Sequence, residues 1–402
     1  MPWKARSVVQ ERQSFIMEWM ADGISVTELC KAFGISRTLG YTYIRRYLKD
    51  GLQGLEELSR APRRVWNRTP ACVEKLVVDI RKHHPRYGAL TIHLLLRRAI
   101  DRKAIPAVST IDLILKRHGL VKKRRRVRRI RERHPIFVAQ RPNVIWSADF
   151  KGKFRTGDMR YCYPLTIMDS YSRYVLAIVG MHKPTFEATK AAFEALFEEF
   201  GLPDQIHTDN GEPFASTVSL SRLTRLAVWF MDLGIVPVYS DPGHPEQNPE
   251  HERMHKDLKA ASARPPAWNL GRQQQKFEAF RHEHNEVRPH QSLYGHTPQE
   301  LYYRSARLYD GTLQPYEYPP GFEVKYVCRN GAIRWGAHRW VTVSSTLIEK
   351  YIGLERIAEG KWRVYYRDYL LGYLDEKEMR IMDDQGRFRR AEKSVKDVLR
   401  EV

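Results

Sequence analysis

The segment NVIWSADFKG, residues 143–152, decides the fold, because it is an apolar run that ends on one acidic residue, Asp149. The segment QIHTDNG, residues 205–211, repeats this pattern and ends on Asp209. Short apolar runs bounded by turn residues are typical of buried strands. A third acidic residue, Glu252, lies in NPEHERMHKDLK, which is predicted to be helical. Each of the three stands where a core sheet would not normally place a charge.

The surrounding sequence predicts a mixed α/β sheet over residues 142–305. Strands are predicted at 144–150, 161–168, 174–181, 205–208 and 236–240, and helices at 185–200 and 218–233. The first three strands follow one another closely and can pair as hairpins, whereas the later strands alternate with helices.

The three acidic residues together predict a metal site. An aspartate at a strand end is more often a turn or cap residue, so each residue alone indicates little. Carboxylates gathered on one sheet repel one another unless cations neutralise them, and oxygen ligands suit Mg²⁺ and Mn²⁺. Two such ions about 4 Å apart promote in-line phosphoryl displacement. We therefore expect Asp149, Asp209 and Glu252 to be catalytic metal ligands.

The first 58 residues are predicted to form a helix-turn-helix domain. Residues 7–49 have the pattern of three helices, of which the second opens with a capping box, Ser25 to Glu28, and ends at Gly34. A helix, a glycine turn and a basic helix are typical of DNA-binding helix-turn-helix units. A plain three-helix bundle is the alternative. The candidate DNA contacts on the third helix are Arg37, Arg45 and Arg46.

Residues 69–121 are predicted to form a second, similar DNA-binding domain. They begin with Thr69 and Pro70, a helix-start pair, and end in a short helix with Ser109 as its expected cap. Two tethered DNA readers can specify a longer site than either reader alone.

A basic segment, residues 122–141, follows and begins with KKRRRVRRIRER, nine cations in twelve residues. A solvated spacer is one interpretation. The alternative is an arm that contacts the DNA backbone or minor groove and supplies affinity without sequence choice. The candidate contacts are Lys122, Lys123, Arg124, Arg125, Arg126, Arg128 and Arg129.

The overall composition points to a polyanionic partner. The 402 residues carry a formal net charge of +21, which favours nucleic acid. There is no long apolar run and no apolar signal core at the N-terminus, so we expect a cytoplasmic protein without a membrane partner, nucleoid-associated if bacterial. The cysteines lack a CxxC pair and are expected to be reduced packing residues: Cys30, Cys72, Cys162 and Cys328.

The last quarter predicts a small SH3-like β-barrel over residues 320–385 that contacts DNA, followed by a tail at 386–402. FEVKYVCRNGAIRW has a hairpin signal at Asn330–Gly331. GKWRVYYRDYLLGYL alternates apolar and basic residues, as expected for a strand with a basic outer face. Further candidate linkers are residues 59–68 and 314–321.

At four segments the sequence resembles the DDE recombinases with a retroviral-integrase-like core, and within them the bacterial insertion-sequence transposases of the IS481 and IS3 type. The segments are WSADFKG, HTDNGEPF, PGHPEQNPEHERMHKDLK and NEVRPHQSLYGHTPQELY, in the order of the family. The resemblance implies an RNase H-like core in which Asp149 bridges two Mg²⁺ or Mn²⁺ ions while Asp209 and Glu252 each hold one. It also implies 3′-end cleavage and strand transfer of a mobile element's terminal inverted repeats into target DNA, by a homo-oligomer.

Two departures leave the third ligand open. The family commonly has Asn-Gly where this chain has Asn248–Pro249, and Asp209 lies further from Glu252 than is usual, by about two helical turns. Glu246 and Glu250 therefore compete with Glu252. Glu250 would lie on a different helical face, and Glu246 precedes the predicted helix, so Glu252 is preferred.

Other polar residues near these motifs are weaker candidates. Arg253 and Lys256 are candidate DNA contacts on the predicted helix, while Arg288 and His290 could contact DNA phosphate or brace that helix. No HHCC zinc cluster precedes the core, and the remaining pair, His83 and His84, is expected at the surface.

Two other functions compete with strand transfer. A DNA-binding regulator that has lost catalysis would not need the acidic trio. A structure-selective nuclease on an RNase H-like core would not need two sequence readers in front of it.

Overall fold

The computed structural model describes residues 7–57, 68–121, 139–150, 152–209, 211–216, 223–240 and 249–382. The chain divides into two compact units, the first ending at Thr69 and the second beginning at Pro70. None of the described helices is long and apolar enough to cross a membrane.

The first unit contains the three predicted helices, α1 (Val8–Met20), α2 (Val26–Ala32) and α3 (Arg37–Asp50). The predicted capping box is confirmed, because the side chains of Ser25 and Glu28 each bond the other's backbone amide. A Cβ atom on Gly40 would lie 2.4 Å from the sulfur of Cys30, so only glycine lets α3 approach α2 this closely. The buried core comprises Phe15, Ile16, Leu29, Cys30, Ile44 and Leu55.

A second helical bundle begins the other unit and consists of α4 (Ala71–His83), α5 (Ala89–Ala99) and α6 (Val108–Arg117). The prediction that Ser109 caps the last helix is wrong, since α6 begins at Val108 with Ala107 in the cap position. The three amphipathic helices of this second bundle enclose a core of Val77, Val78, Tyr87, Ile92, Leu96, Ile111, Ile114 and Leu115.

The mixed sheet is confirmed. Its strands are β1 (Ile145–Phe150), β2 (Phe154–Arg155), β3 (Tyr161–Asp169), β4 (Val175–Met181), β5 (Gln205–Thr208) and β6 (Val236–Tyr239). The order is β2-β3-β1-β5-β6, with β4 also paired to β3. As predicted, β1, β3 and β4 pair antiparallel, whereas β1–β5 and β5–β6 pair parallel across helical connections.

Helices cover both faces of this sheet. On one face α7 (Phe186–Phe200) and α8 (Arg225–Asp232) enclose an aromatic core. On the other face lie α9 (Pro249–Ser262) and α10 (Leu270–His282), followed by a π-helical turn and the short α11 (Pro298–Leu301). The helix predicted from residue 218 begins only at Arg225, capped by Thr224; residues 217–222 lie outside the described part.

The second helical bundle packs directly against the α9 and α10 layer. Arg86 donates to the Asp257 carbonyl oxygen at 3.0 Å and to the Glu283 carboxylate at 2.5 Å. His84 lies 3.0 Å from the same carboxylate and stacks on Tyr87. The prediction that His83 is a surface residue is confirmed, because His83 is exposed. His84 departs in part from the same prediction: its side chain is 32% exposed, and its ring contacts Glu283 at this interface.

Beyond the core the chain forms antiparallel sheets. The strands are β7 (Glu323–Tyr326), β8 (Ala332–Trp335), β9 (Arg339–Thr342), β10 (Tyr351–Ala358), β11 (Lys361–Tyr366), β12 (Tyr369–Asp375) and β13 (Arg380–Met382). Five of them pair in the order β13-β12-β11-β10-β7, and β8 pairs with β9. The hairpin predicted at Asn330–Gly331 is wrong, since that turn joins strands of two different sheets.

The C-terminal sheets share a core with α8. Leu223, just before α8, and Ala227, Val228 and Met231 on it pack among their apolar residues. At the end of α8 the buried Asp232 bonds Lys350 at 2.7 Å and accepts from the Tyr366 hydroxyl.

The four cysteines are free, as expected. Cys30 and Cys162 are buried and Cys328 is half-buried. The prediction of a packing role is wrong for Cys72, which is exposed on α4.

Candidate active site at the ends of the central strands

Asp149 and Asp209 lie at the same end of neighbouring strands. β1 and β5 run parallel with Ala148 opposite Thr208, so each aspartate comes one residue after a paired position. Because side chains alternate along a strand, both aspartates belong to the face that carries Ser147. The Asp149 side chain is 31% exposed, and Asp209 is exposed and accepts a hydrogen bond from the Gly211 amide at 3.1 Å.

Glu252 lies on α9, which covers this face. The buried stripe of α9 comprises His251, Met254, His255, Leu258 and Ser262. Glu252 is exposed and stands about 60° around the helix from His255, given 3.6 residues per turn. His255 Nδ1 lies 3.4 Å from Asp149 Oδ2. Glu252 therefore lies on the same side of α9 as His255, the residue that lies beside the Asp149 carboxylate.

The competing glutamates are placed differently. Glu250 is about 200° around α9 from Glu252, and its carboxylate accepts from the Arg173 guanidinium at 3.0 Å. Glu246 lies outside the described residues. The choice of Glu252 as third ligand stays a prediction, with Glu250 engaged elsewhere.

A buried polar network lies beneath Asp149. The Thr166 hydroxyl, opposite Asp149 on β3, donates to the Asp149 carbonyl oxygen at 2.9 Å. The Thr166 hydroxyl oxygen also lies 2.7 Å from His251 Nε2 and 2.6 Å from His255 Nε2. Ser147 Oγ lies 2.8 Å from His251 Nδ1. Both imidazoles are almost fully buried, with 1% and 3% of the residue exposed.

Sequence reasoning missed these two histidines. The available signal is their spacing of four residues, which puts both rings on one helical face. Among the described residues, the ligand atoms of Asp149, His251 and His255 form a group that lies within 4.8 Å. Asp209 and Glu252 are not part of that group.

His207 lies on the same face as Asp209, two residues before it. It is buried, and burial lowers its pKa below the usual value. Ser240 Oγ lies 3.0 Å from its Nε2, so the ring links β5 to the end of β6.

The candidate DNA contacts differ in exposure. Arg37 and Arg45 are exposed on α3, whereas Arg46 donates to the Glu56 carbonyl oxygen at 2.6 Å within the same unit. Arg253 and Lys256 are exposed on α9. The candidates between Lys122 and Arg129 lie outside the described residues.

Arg288 and His290 lie inside the protein. Arg288 bonds Asp257 on α9 at 2.6 Å with only 14% of its side chain exposed, so it braces this helix. His290 Nε2 lies 3.2 Å from the His284 carbonyl oxygen, and the two rings are 4.5 Å apart. Burial lowers the pKa of His290 to about 4 and that of the fully buried His284 well below its usual value.

Comparison with protein families gives three matches. Residues 139–245 and residues 233–298 match two models described as integrase core domain. Residues 11–63 match a helix-turn-helix domain. Asp149 and Asp209 fall within the first match and Glu252 within the second.

Two curated relatives are viral polyproteins. The chain is 32% identical over 119 residues to the Pol polyprotein of Radiation murine leukemia virus (strain Kaplan) and 28% identical over 121 residues to the Gag-Pol polyprotein of Feline leukemia virus. Each match covers 30% of this chain, and the matched stretches span only 19% and 6% of the two polyproteins.

Solved structures with a similar chain include the HTLV-2 integrase catalytic core domain in complex with magnesium, trimeric form, at 18% identity and a TM-score of 0.33. That match covers 41% of this chain and all of the other. A second is the simian T-cell lymphotropic virus intasome in complex with PP2A regulatory subunit B56 gamma, at 15% identity and a TM-score of 0.36. It covers 75% of this chain and 96% of the other.

Proposed function

We propose that this chain, which carries an integrase core domain preceded by a helix-turn-helix domain, is a DDE-type DNA transposase or integrase. It would free the 3′ ends of a mobile element and join them to target DNA. The observation that carries the proposal is the β1–β5 register, which sets Asp149 and Asp209 at adjacent strand ends within the matched domain. Glu252, exposed on α9 over the same face of the sheet, is the proposed third carboxylate. The order of the four motifs favours the IS481 and IS3 type of transposase.

The donor set fits two Mg²⁺ or Mn²⁺ ions. Asp149, Asp209 and Glu252 offer the hard oxygen ligands that these cations prefer. The nearby His251 and His255 would suit softer metals, but their Nε2 atoms already contact the Thr166 hydroxyl. Bound ions would supply activation of the attacking oxygen and stabilisation of the leaving oxygen.

The protein's own residues would present the DNA to these carboxylates. The exposed Arg253 and Lys256 on α9 lie close along the helix to Glu252, where they can neutralise phosphates. Arg37 and Arg45 on the exposed side of α3 are suited to contact the element's ends. We include the basic segment 122–133 and the C-terminal sheets, as a small barrel, among the surfaces that bind duplex DNA. Because two ends are joined in concert, a homo-oligomer is the proposed active form.

The test uses end DNA taken from the inverted repeats that flank the gene and labelled at the 5′ terminus of the strand whose 3′ end is joined, and follows transfer of that strand into a target duplex. Asp149→Asn, Asp209→Asn and Glu252→Gln should each abolish cleavage and transfer, because each removes a metal ligand. Binding of end DNA, followed by fluorescence anisotropy, should be largely unchanged. A wild-type protein that binds ends without reacting would be a regulator, and one that only cuts would be a nuclease.

A second arm tests where end recognition lies. Removing residues 1–69 should strongly weaken the preference for the element's ends, because only the second predicted reader remains, while metal-dependent activity on short DNA persists. The deletion stops before the second bundle, because that bundle packs on the core through the bonds of Arg86 to Asp257 and Glu283 and its removal would disturb the core. If the truncated protein selected its ends over random duplex as strongly as the full chain does, the first unit would not be the reader.

A further inference from the structure

We propose that His251 and His255 are positioning residues, which hold Asp149 and Glu252 in working geometry by sharing the hydroxyl group of Thr166. This inference rests on the proposed function for its purpose, and on the hydrogen bonds beneath Asp149 for its mechanism.

The hydrogen-bond count assigns the protons of the network. A threonine hydroxyl has one proton to donate and two lone pairs that accept. Thr166 donates its proton to the Asp149 carbonyl oxygen, so it accepts from the Nε2–H groups of both His251 and His255. Nδ1 of His251 is then the acceptor for Ser147, whose 2.8 Å contact to it is shorter than its 3.3 Å contact to the Met168 carbonyl. Every donor and acceptor capacity of the Thr166 hydroxyl is used.

The network ties the helix to the strands at the site itself. His251 directly precedes Glu252, and His255 follows it by one helical turn. Nε2 of each ring contacts the hydroxyl of Thr166, which lies on β3 opposite Asp149. One hydroxyl thus fixes the distance between the backbone of Asp149 and the segment of α9 that carries Glu252. Because the bonds are buried, water does not replace them when one partner is lost.

A metal site is the competing explanation, since two histidines four residues apart on a helix are typical of zinc ligands. Zinc binds a ring nitrogen through its lone pair, and the proton assignment above leaves neither Nε2 lone pair available. The point at which the two Nε2 atoms converge is occupied by the hydroxyl oxygen, at 2.6 and 2.7 Å. The observations therefore favour positioning, and zinc binding becomes an outcome of the test.

The decisive variant is Thr166→Val, which keeps the branched shape and removes the shared hydroxyl. The Mn²⁺ dissociation constant, measured by electron paramagnetic resonance of the free ion, should rise about 10- to 100-fold, as for other residues that orient metal ligands. The kcat for strand transfer should fall by a similar factor, while the KM for end DNA should stay unchanged. Circular dichroism checks that the variant is folded.

Paired variants separate positioning from general destabilisation. His255→Gln places an amide donor near the lost Nε2–H group and should recover most of the Mn²⁺ affinity that His255→Ala loses. Leu258→Ala is the matched control, because Leu258 is buried on the same stripe of α9 but is not part of the network. It should lower the melting temperature and leave Mn²⁺ affinity unchanged.

Several results would overturn the inference. They are unchanged Mn²⁺ affinity in Thr166→Val, failure of wild-type protein to bind Mn²⁺, and stoichiometric Zn²⁺ binding that His251→Ala abolishes. If the wild-type protein binds Mn²⁺ but transfers no DNA ends, the proposed function fails on its own. The Mn²⁺ comparison between wild type and Thr166→Val would still decide the positioning role.

Discussion

The two faces of the central sheet are built for different purposes. Under α7 and α8 most of the buried residues are apolar. The Phe197 ring lies within 6.3 Å of five other aromatic rings, including Trp146 at 5.9 Å and Trp229 at 5.5 Å. Under α9 the sheet buries hydroxyl and imidazole groups beside Asp149. Burying polar groups stabilises a protein less than burying apolar ones, and it demands that each finds a partner. The first face should therefore govern stability, and the second should govern the geometry of the candidate site.

The largest effect on stability is expected from Phe197→Ala. Phe197 is 1% exposed, and removal of a buried aromatic ring costs about 3–5 kcal/mol. Urea unfolding of the whole chain should show this loss. Strand transfer should be lost only at temperatures where the variant unfolds.

The matched control is Tyr294→Ala, because Tyr294 is 95% exposed. Its unfolding free energy should change by less than about 0.5 kcal/mol. A small effect of Phe197→Ala, similar to that of Tyr294→Ala, would remove the distinction between the two faces.

The sequence predicts which residues form the apolar face of the sheet, but it does not predict the contacts of the polar face. Runs such as VIWSA and helices with regular apolar spacing reveal which elements form the core, because burial follows the strand and helix periods. The strand ends at Asp149 and Asp209 follow from the same patterns. The Thr166 contact with His251 and His255 links residues 85 and 89 positions apart, and no local pattern specifies such a pair.

Long-range pairing explains two of the other errors. The Asn330–Gly331 turn has the local chemistry of a hairpin, but β7 finds its partner in β10 and β8 in β9. No local pattern distinguishes His84 from a surface residue, because its partner Glu283 lies 199 positions away in the sequence. Which strand or carboxylate completes a pair is decided by tertiary packing.

Lowering the pH is expected to have an intermediate effect on the free energy of unfolding, through buried histidines in the layer that contains α9 and α10. The pKa of the buried His290 is about 4, lowered first by burial and then by Arg288, whereas the unfolded chain takes up this proton near pH 6.5. Neutral His290 therefore stabilises the fold above pH 6.5, and this stability is lost as pH falls towards 4. The loss is up to about 3 kcal/mol. His284 should contribute in the same direction, because burial lowers its pKa too.

Urea unfolding at pH 7, 6, 5 and 4 measures this loss, and His290→Gln is the comparison. The variant should lose less stability between pH 6.5 and 4 than the wild type, while carboxylate titrations affect both proteins alike. Parallel curves for the two proteins would show that His290 does not carry the effect.

The smallest effect is expected from Glu250→Gln, which sharpens the assignment of the polar face. Glu250 is about 140° around α9 from His255, which lies beside Asp149. The side chains of the Glu250–Arg173 pair are 41% and 23% exposed. Such partly solvated pairs contribute about 0–1 kcal/mol, and glutamine retains an oxygen that accepts from Arg173. Strand transfer by Glu250→Gln should stay within about twofold of wild type, a free-energy change of about 0.4 kcal/mol, whereas Glu252→Gln should abolish it. The reverse result would move the third carboxylate to Glu250, and would require α9 to turn about its axis when DNA and metal bind.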